Sequence, residues 1–399
     1  MEPLLYLDHA ATRWPKADGV ADALAAAARE LIGNSGRSAF HSSGGTIERC
    51  RAGLATLINE PTSDRVVLTS GCTDALNTAI FGVLSHRRDV PHVVSTVLEH
   101  NAVRRPLRYL ASRGIITLTE VGCDAEGFVS PEAVAAAMKA NTALLAITHA
   151  SNVVGTIQDV AACAAQARRI APEVLMLVDA AQTAGVVAID VQTLGADLVA
   201  FGTHKGIGAA PGLGVLWVGP RAFGRDPTHA ALQPIRFGGT GEGAIDLEGN
   251  ADDDDMPPAL PRRFEVGTAN AVVAAGVCAA LNALALQRDV LAHERALIGE
   301  LDTALRAMPR VRVLGPLAKD RSVGVLSLVC EGISAHELGS ILHASFNIVS
   351  RAGLHCAPAA HATLGTRPDG TLRLSVGPRT THGDIACVID ALRQICGSR

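Results

Sequence analysis

The sequence is poor in aromatic residues, which occupy 3% of its 399 positions, and only 19% of its residues are charged, whereas 48% are hydrophobic. This composition is typical of a folded α/β enzyme and excludes a disordered or fibrous chain. Lysine and arginine total 35 against 39 acidic residues, a net charge of -4. No positive excess therefore favours nucleic acid or an anionic membrane as a partner.

Signals for export and membrane insertion are also missing. Met1–Asp8 contains no basic segment followed by an apolar run, so no signal peptide is predicted. The longest Ala-rich run, Ala21–Ala28, is interrupted by Asp22, and no run reaches the roughly 18 apolar residues that a membrane span requires. We therefore predict a cytoplasmic protein.

The nine cysteines show no metal or disulfide pattern. Their number is odd, their spacing is irregular and no Cys-x-x-Cys pair occurs, so reduced thiols and no metal site are predicted. The acidic run Asp252–Asp255 lies in a Gly-, Pro- and Asp-rich segment, Gly238–Pro261. It is interpreted as a solvated surface loop, because no spaced ligands accompany it.

Short apolar runs alternate with helical stretches through the first half of the chain, and each run is a predicted buried strand: Val66–Thr69, Val93–Thr96, Leu144–Ile147, Leu175–Val178, Leu198–Phe201 and Gly214–Val218. This alternation predicts a largely parallel sheet covered on both faces. Ligands of such sheets bind beyond the carboxyl ends of the strands. Farther along, Ala269–Leu286 predicts a long helix that leads into a smaller α+β region ending near Ala391.

Two polar segments follow predicted strands. Asp179 could pair with a protonated ring nitrogen of a cofactor, or it could cap a helix. Lys205, in Thr203-His204-Lys205, would be desolvated at the mouth of the sheet, which favours a neutral, imine-forming amine. A surface lysine is the alternative, although the chain has very few lysines.

A candidate anion site lies at Ser70-Gly71-Cys72-Thr73, between a strand and the start of a helix. Free backbone N–H groups and the positive helix end would point at one spot there, with a hydroxyl from Thr73. A simple strand-to-helix turn with a threonine cap is the competing interpretation. The glycines at 206, 208, 212 and 214 do not have the spacing of a dinucleotide-binding loop.

Two further side chains have both a functional and a structural interpretation. His100 follows the strand that ends near Thr96 and could stack on a flat cofactor and move protons, or it could be structural. Arg373 lies on a predicted strand, Gly370–Ser375. Its planar fork suits a substrate carboxylate, but a structural ion pair would show the same pattern.

Cys356 is the one cysteine whose neighbours indicate reactivity. Arg351 and His355 are expected to place positive charge near it, which favours the nucleophilic thiolate. Gly353 and Pro358 indicate a loop. A buried and inert loop thiol is the alternative.

Taken together, these segments resemble the cysteine desulfurases of the class V aminotransferase family, which are fold-type I pyridoxal-phosphate (PLP) enzymes. The resemblance extends from Tyr6-Leu7-Asp8-His9-Ala10-Ala11-Thr12 to the final helix. It implies a homodimer with an α/β fold. Residues 17–275 would form a large PLP-binding domain with a mixed, mostly parallel sheet, and residues 1–16 with 276–399 a small α+β domain carrying the catalytic cysteine loop.

The resemblance assigns five residues around the PLP ring. Lys205 would be the catalytic Schiff-base lysine, and Asp179 would pair with the pyridine nitrogen. His100, also assigned as catalytic, would stack on the ring, and Gln182 would donate to the ring hydroxyl. Asn152 would face both cofactor and substrate.

The resemblance also assigns the phosphate ligands. Thr73, Thr203 and His204 would contact the cofactor phosphate beside the backbone of Cys72. Thr268, in Phe264-Glu265-Val266-Gly267-Thr268, would reach the phosphate bound by the partner subunit.

The implied reaction begins when free L-cysteine displaces Lys205 while Arg373, with Arg351 nearby, holds the substrate carboxylate. The Cys356 thiolate then takes the substrate sulfur, which leaves alanine and a persulfide for a sulfur-acceptor protein, as in iron–sulfur cluster assembly. Arg-x-Gly-x-His-Cys resembles the Suf-type group, although Cys72 and Leu354 replace a common threonine and histidine. Selenocysteine lyase or cysteine sulfinate desulfinase activity, and a non-catalytic sulfur-transfer scaffold, are the alternatives.

Overall fold

The computed structural model describes residues 4–30, 42–224, 230–240, 256–287 and 289–397. The acidic run Asp252–Asp255 lies outside these ranges, so its interpretation as a solvated loop stays a prediction.

Helices occupy much of the described chain: α1 Val20–Glu30, α2 Ser42–Leu57, α3 Cys72–Leu84, α4 Asn101–Ser112, α5 Pro131–Ala137, α6 Val160–Ile170, α7 Ala271–Ala285, α8 Val290–Arg306, α9 Ala335–Phe346, α10 Pro358–Thr363 and α11 His382–Gly397. The strands are β1 Leu5–Tyr6, β2 Val66–Thr69, β3 His92–Thr96, β4 Thr117–Val121, β5 Thr142–Thr148, β6 Leu175–Asp179, β7 Leu198–Gly202, β8 Gly214–Val218, β9 Val311–Leu314, β10 Val325–Cys330, β11 Ile348–Val349, β12 Arg351–Gly353 and β13 Thr371–Ser375.

The central sheet unites seven of the described strands in the order β2-β8-β7-β6-β5-β3-β4. Its strands are parallel except β8, which runs antiparallel to both β2 and β7. Strands β5, β6, β7 and β8 are buried along their whole length, and they therefore consist of nearly continuous apolar runs in the sequence. The predicted α/β class with a mostly parallel sheet is confirmed.

Strand β4 escaped the sequence analysis. Its residues Thr117–Val121 include three polar side chains and are mostly exposed or half-buried, because the strand lies at the edge of the sheet. An edge strand does not need a continuous apolar sequence, so no apolar run marks β4 in the sequence.

A second, antiparallel sheet follows the order β12-β13-β10-β9, and β1 pairs in parallel with β11 nearby. Leu372 and Leu374 of β13 pack with Leu297, Leu301 and other apolar side chains in a separate core cluster. The N-terminal segment thus pairs with the C-terminal part of the chain. The division into a large domain of residues 17–275 and a small domain of residues 1–16 with 276–399 stays a prediction.

Of the described helices, none has by itself the length and apolar character of a membrane span. Helices α7 and α8 reach that length and apolar character only together, and they are bent by 75° relative to each other. Within the same residues, no three histidine, cysteine, aspartate or glutamate side chains cluster in a way that could hold a metal ion.

Candidate active site

The carboxyl ends of β6 and β7 carry the two residues around which the site is built. Asp179 is the last residue of β6 and pairs with Ala200 of β7, while Lys205 follows β7 by three residues. Adjacent parallel strands end at the same edge of a sheet. The side chains of Asp179 and Lys205 are therefore close enough for their charges to interact.

Lys205 has the electrostatic setting of a reactive amine. Its side chain is half-buried, and desolvation by the surrounding protein lowers the pKa of Lys205. The charge of Asp179 opposes that shift, and those of Arg373 and Arg351 add to it. A lowered pKa increases the neutral fraction, which is the nucleophilic form of an amine.

Asp179 is held by its near neighbours. Its Oδ1 accepts hydrogen bonds from the Ala181 N–H at 3.0 Å and from the Cys72 thiol at 3.7 Å. Burial and the Asp179 charge raise the pKa of the Cys72 thiol, so that thiol stays protonated and can donate. The carboxylate thus makes a local turn and also faces the site.

The start of α3 forms the predicted anion cradle. No side chain caps this helix after Gly71, and the N–H groups of residues 72–74 have no partner among the described residues. A Cβ on Gly71 would meet nothing within 4 Å, so there is open space beside the start of this helix. Such a helix end attracts a phosphate. A Cβ on Gly214 would lie 2.2 Å from Gly71, so only glycine permits this close approach of β8.

The other predicted phosphate ligands are less free to donate. The Thr203 hydroxyl already donates to the Leu213 carbonyl at 3.0 Å and would have to give up that bond to donate elsewhere. Burial, followed by the charges of Lys205 and Lys16, lowers the pKa of His204 to about 4. His204 is therefore neutral at neutral pH. Thr73 is exposed at the start of α3.

His100 has the structural role that the sequence left open, and its stacking on a cofactor stays a prediction. It is the N-cap of α4, where its Nδ1 accepts from the Ala102 N–H at 3.0 Å. Burial lowers the pKa of His100, and the charges of Lys205 and Arg351 lower it further against the opposing charge of Asp179. The neutral ring thus caps a helix and faces the same charged groups as Lys205.

Arg351 of β12 lies directly opposite Arg373 of the neighbouring strand β13 in the second sheet. Arg373 is 1% exposed and donates to Asp8 Oδ1 at 2.6 Å and to the Asn152 carbonyl at 3.0 Å. Like charges directly opposite each other repel, so Asp8 offsets part of the cost of this pairing. The Nε of Arg373 has no partner within the described residues.

The cysteine loop, residues 354–357, joins β12 to α10. His355 and Cys356 have φ values of 47° and 59°, a left-handed conformation that is rare outside glycine. The Asn152 amide donates to the His355 carbonyl at 2.6 Å, and the Asn101 N–H donates to the Cys356 carbonyl at 2.7 Å. These two bonds hold the strained turn in place.

The charge beside Cys356 comes from Arg351, whose Nη2 lies 3.8 Å from the Cys356 sulfur. The expectation that His355 adds a second positive charge is wrong. His355 is buried, and burial together with Arg373 lowers its pKa to about 2. Its Nε2 is instead bonded to the Thr371 hydroxyl at 2.9 Å. Sequence proximity did not reveal this inward orientation.

Two further predicted residues are Gln182 and Thr268. The Gln182 amide donates to the Ala10 carbonyl at 3.1 Å, which leaves one of its N–H bonds available. Thr268 is exposed on the segment that leads into α7. Because its assigned role concerns a partner subunit, that role stays a prediction.

Lys205 and Cys356 belong to one connected cluster. The charges of Arg351 and Arg373 act on Lys205, Arg351 contacts the Cys356 sulfur, and the charge of Cys356 acts on Arg373. An amine and a thiol separated by 151 positions in the sequence are thus brought to one site.

Comparison with known proteins identifies the family. The family model of class-V aminotransferases matches residues 5–388. The chain belongs to the class-V aminotransferase family. Probable cysteine desulfurases are among its relatives. One from Methanothermobacter thermautotrophicus is 30% identical over 98% of the chain and 95% of that protein, and one from Pseudomonas putida is 33% identical over 98% and 93%.

Solved structures place this class-V aminotransferase in the same fold. The apo cysteine desulfurase of Thermococcus onnurineus superposes with a TM-score of 0.89 at 25% identity, covering 99% of the chain and 95% of that protein. The cysteine desulfurase CsdA of Escherichia coli, in an S-sulfonic acid form, superposes with a TM-score of 0.85 at 26% identity over 98% and 94%.

Two acidic residues near this site were not predicted from the sequence. Asp8 was noted only within a motif, yet it pairs with Arg373. Glu99 is fully buried beside His100, and burial raises its pKa to about 8. Its Oε1 accepts from the Thr96 hydroxyl at 2.7 Å and the Thr148 N–H at 2.9 Å. A glutamate three residues after the end of a buried strand was the available signal.

Proposed function

We propose that this protein is a PLP-dependent cysteine desulfurase of the Suf-type group, which converts L-cysteine to L-alanine and keeps the sulfur as a persulfide on Cys356. The observation that carries the proposal is the Arg351 guanidinium, 3.8 Å from the Cys356 sulfur and electrostatically coupled to Lys205. The named relatives and the short cysteine loop support it.

The residues present fit PLP. Lys205 offers an amine with a lowered pKa, and Asp179 offers a carboxylate for a protonated ring nitrogen. The uncapped start of α3 and the open space at Gly71 suit a phosphate. When bound, PLP would supply an electron sink for the charge that develops on the substrate when its α-proton leaves.

The arginine pair would orient the substrate. Arg373 and Arg351 carry two positive charges on one face of the second sheet, and a carboxylate there would relieve their mutual repulsion. The amine of Lys205, once freed by the substrate amine, would accept the α-proton. Asp8 already pairs with Arg373, so the substrate carboxylate would use the remaining guanidinium N–H groups.

Cys356 would perform the sulfur transfer. Its thiolate, with the Arg351 guanidinium 3.8 Å from the sulfur, would form a bond with the substrate sulfur while the carbon–sulfur bond of the substrate breaks. The electron pair of that broken bond stays with the carbon fragment, which takes up protons and leaves as alanine. The sulfur remains on Cys356 as a persulfide.

The decisive test compares two cysteine variants. Cys356→Ser should keep the absorbance of bound PLP but form neither alanine nor persulfide from cysteine. Cys387→Ser removes an exposed thiol on α11 and serves as the matched control with full activity. Mass spectrometry of Cys356 after incubation with cysteine should show the added mass of one sulfur atom. Alanine production at the control rate by Cys356→Ser would overturn the assignment.

A substrate series separates the proposed activity from related reactions. Selenium and sulfinate leave without nucleophilic help, so a selenocysteine lyase or cysteine sulfinate desulfinase would not need Cys356. We expect Cys356→Ala to lose activity on cysteine and to retain it on selenocysteine and cysteine sulfinate. A wild-type protein active only on the latter two substrates would contradict the proposal.

The proposal includes the setting of the enzyme. We expect a homodimer in the cytoplasm that passes sulfur to an acceptor protein for iron–sulfur cluster assembly. The nine free thiols agree with the cytoplasm, and the expected contact of Thr268 with the phosphate in the partner subunit agrees with a dimer. Light scattering should give twice the mass of one chain. Thr268→Ala should weaken PLP retention without dissociating the dimer.

A further inference from the structure

A cavity of about 580 Å³ opens beside Cys356, and we call it the arginine cavity. Helix α4, helix α9, strand β12 and the cysteine loop line it, and its polar residues include Asn101, Arg104, Arg105, Arg108, His336 and Arg351. Cys356 itself is half-buried and lies in this lining. Any molecule that occupies the cavity therefore approaches the reactive sulfur.

The arginine cavity carries an excess of positive charge. Arg104 and Arg108 both pair with Glu120, which lies outside the lining. Arg105 is exposed and has no hydrogen-bonded or ionic partner among the described residues. The positive charge of Arg105 is one of those that lower the pKa of His100. With Arg351, the described lining contains four arginines and no acidic side chain, and only two of the four share the carboxylate of Glu120.

The substrate does not account for these charges. Free cysteine has one carboxylate, and Arg373 with Arg351 meets that need on the second sheet. Arg105 and Arg108 lie instead on the exposed surface of α4. The remaining reactant that must approach Cys356 is the molecule that removes its sulfur.

We propose that the arginine cavity docks an acidic peptide segment beside the acceptor thiol of a sulfur-acceptor protein. This inference rests on the proposed function. The acceptor thiolate would attack the outer sulfur of the Cys356 persulfide, and the bond between the two sulfur atoms on Cys356 would break. The outer sulfur leaves with the acceptor as a new persulfide, and Cys356 returns as a thiolate. Charge complementarity would orient the acceptor and speed its approach.

Two synthetic peptides provide the probe. Each peptide has one serine where the acceptor protein would have its thiol. Four glutamates flank the serine in one peptide and four glutamines in the other. About four negative charges match the number of arginines in the cavity. Fluorescence anisotropy measures their binding to the PLP-loaded protein. The double variant Arg105→Gln with Arg108→Gln removes the exposed charges but leaves Arg104 to pair with Glu120. Arg393→Gln removes an exposed arginine of α11 as the matched control.

We expect the wild type to bind the glutamate peptide more tightly than the glutamine peptide. An exposed ion pair changes affinity about two- to fivefold, so the double variant should lower this preference by about fourfold or more. The control should keep the preference. Raising salt from about 0.1 M to about 1 M shortens the screening distance from about 10 to about 3 Å and should abolish it.

Equal affinity for the two peptides, or an undiminished preference in the double variant, overturns the docking proposal. Persulfide formation on Cys356 is measured separately with cysteine alone. Loss of persulfide with peptide preference intact refutes the proposed function and leaves the docking surface standing, so the two failures are distinguishable. In the active protein, cysteine-containing versions of the peptides should receive sulfur at rates that follow the same preference.

Discussion

Replacing Glu99 with glutamine should remove a pH-dependent loss of stability. Burial disfavours the carboxylate and raises the pKa of Glu99 from 4.5 to about 8. Between these values the folded protein keeps the proton, and the unfolded chain releases it. Because the unfolded state then binds fewer protons, the wild type loses stability as the pH rises through this window, whereas E99Q has no proton to lose there.

The magnitude follows from the width of the window. One pKa unit corresponds to about 1.4 kcal/mol, so from about pH 5.5 to about pH 7.5 the wild type should lose about 2.5 kcal/mol relative to E99Q. Glutamine retains an oxygen that can accept from the Thr96 hydroxyl and the Thr148 N–H. The hydrogen bonds therefore survive, and the difference between the two proteins isolates the ionisation.

Denaturant unfolding at several pH values measures this difference. Trp217 is 2% exposed in β8 of the central sheet, so its fluorescence reports the unfolding of the layer that contains Glu99. Glu173→Gln, at an exposed position, is the control and should follow the wild type. Parallel stability curves for wild type and E99Q over this range would refute the burial argument.

Three further changes test other contacts. Gly214→Ala should force β8 away from Gly71 and weaken PLP retention about tenfold, and unchanged affinity in an absorbance titration would contradict the cradle. Arg51→Met removes the buried cation that pairs with the half-buried Glu265 and should lower the free energy of unfolding by about 2 kcal/mol in urea. Asp8→Asn removes the carboxylate partner of Arg373 and should cost about 2 kcal/mol, so an unchanged melting temperature would argue against that ion pair.

The sequence by itself determined the class of fold and the chemical types at the site. Strands β5, β6 and β7 are buried on both faces, and this burial requires continuous apolar runs that are recognisable without coordinates. Asp179 and Lys205 follow such runs, so their position at the carboxyl edge could be predicted from order alone. Arg351 lies five residues from Cys356, and its contact with the sulfur was likewise local enough to predict.

Only the tertiary structure decided which groups are charged and which are paired. Asp8 and Arg373 are 365 positions apart and meet at 2.6 Å, a contact that sequence order does not encode. His355, adjacent to Cys356, is neutral because the fold buries its ring against Thr371. The ionisation of a side chain depends on its desolvation and on neighbours from distant segments, so it is decided when α4, β12 and β13 pack together.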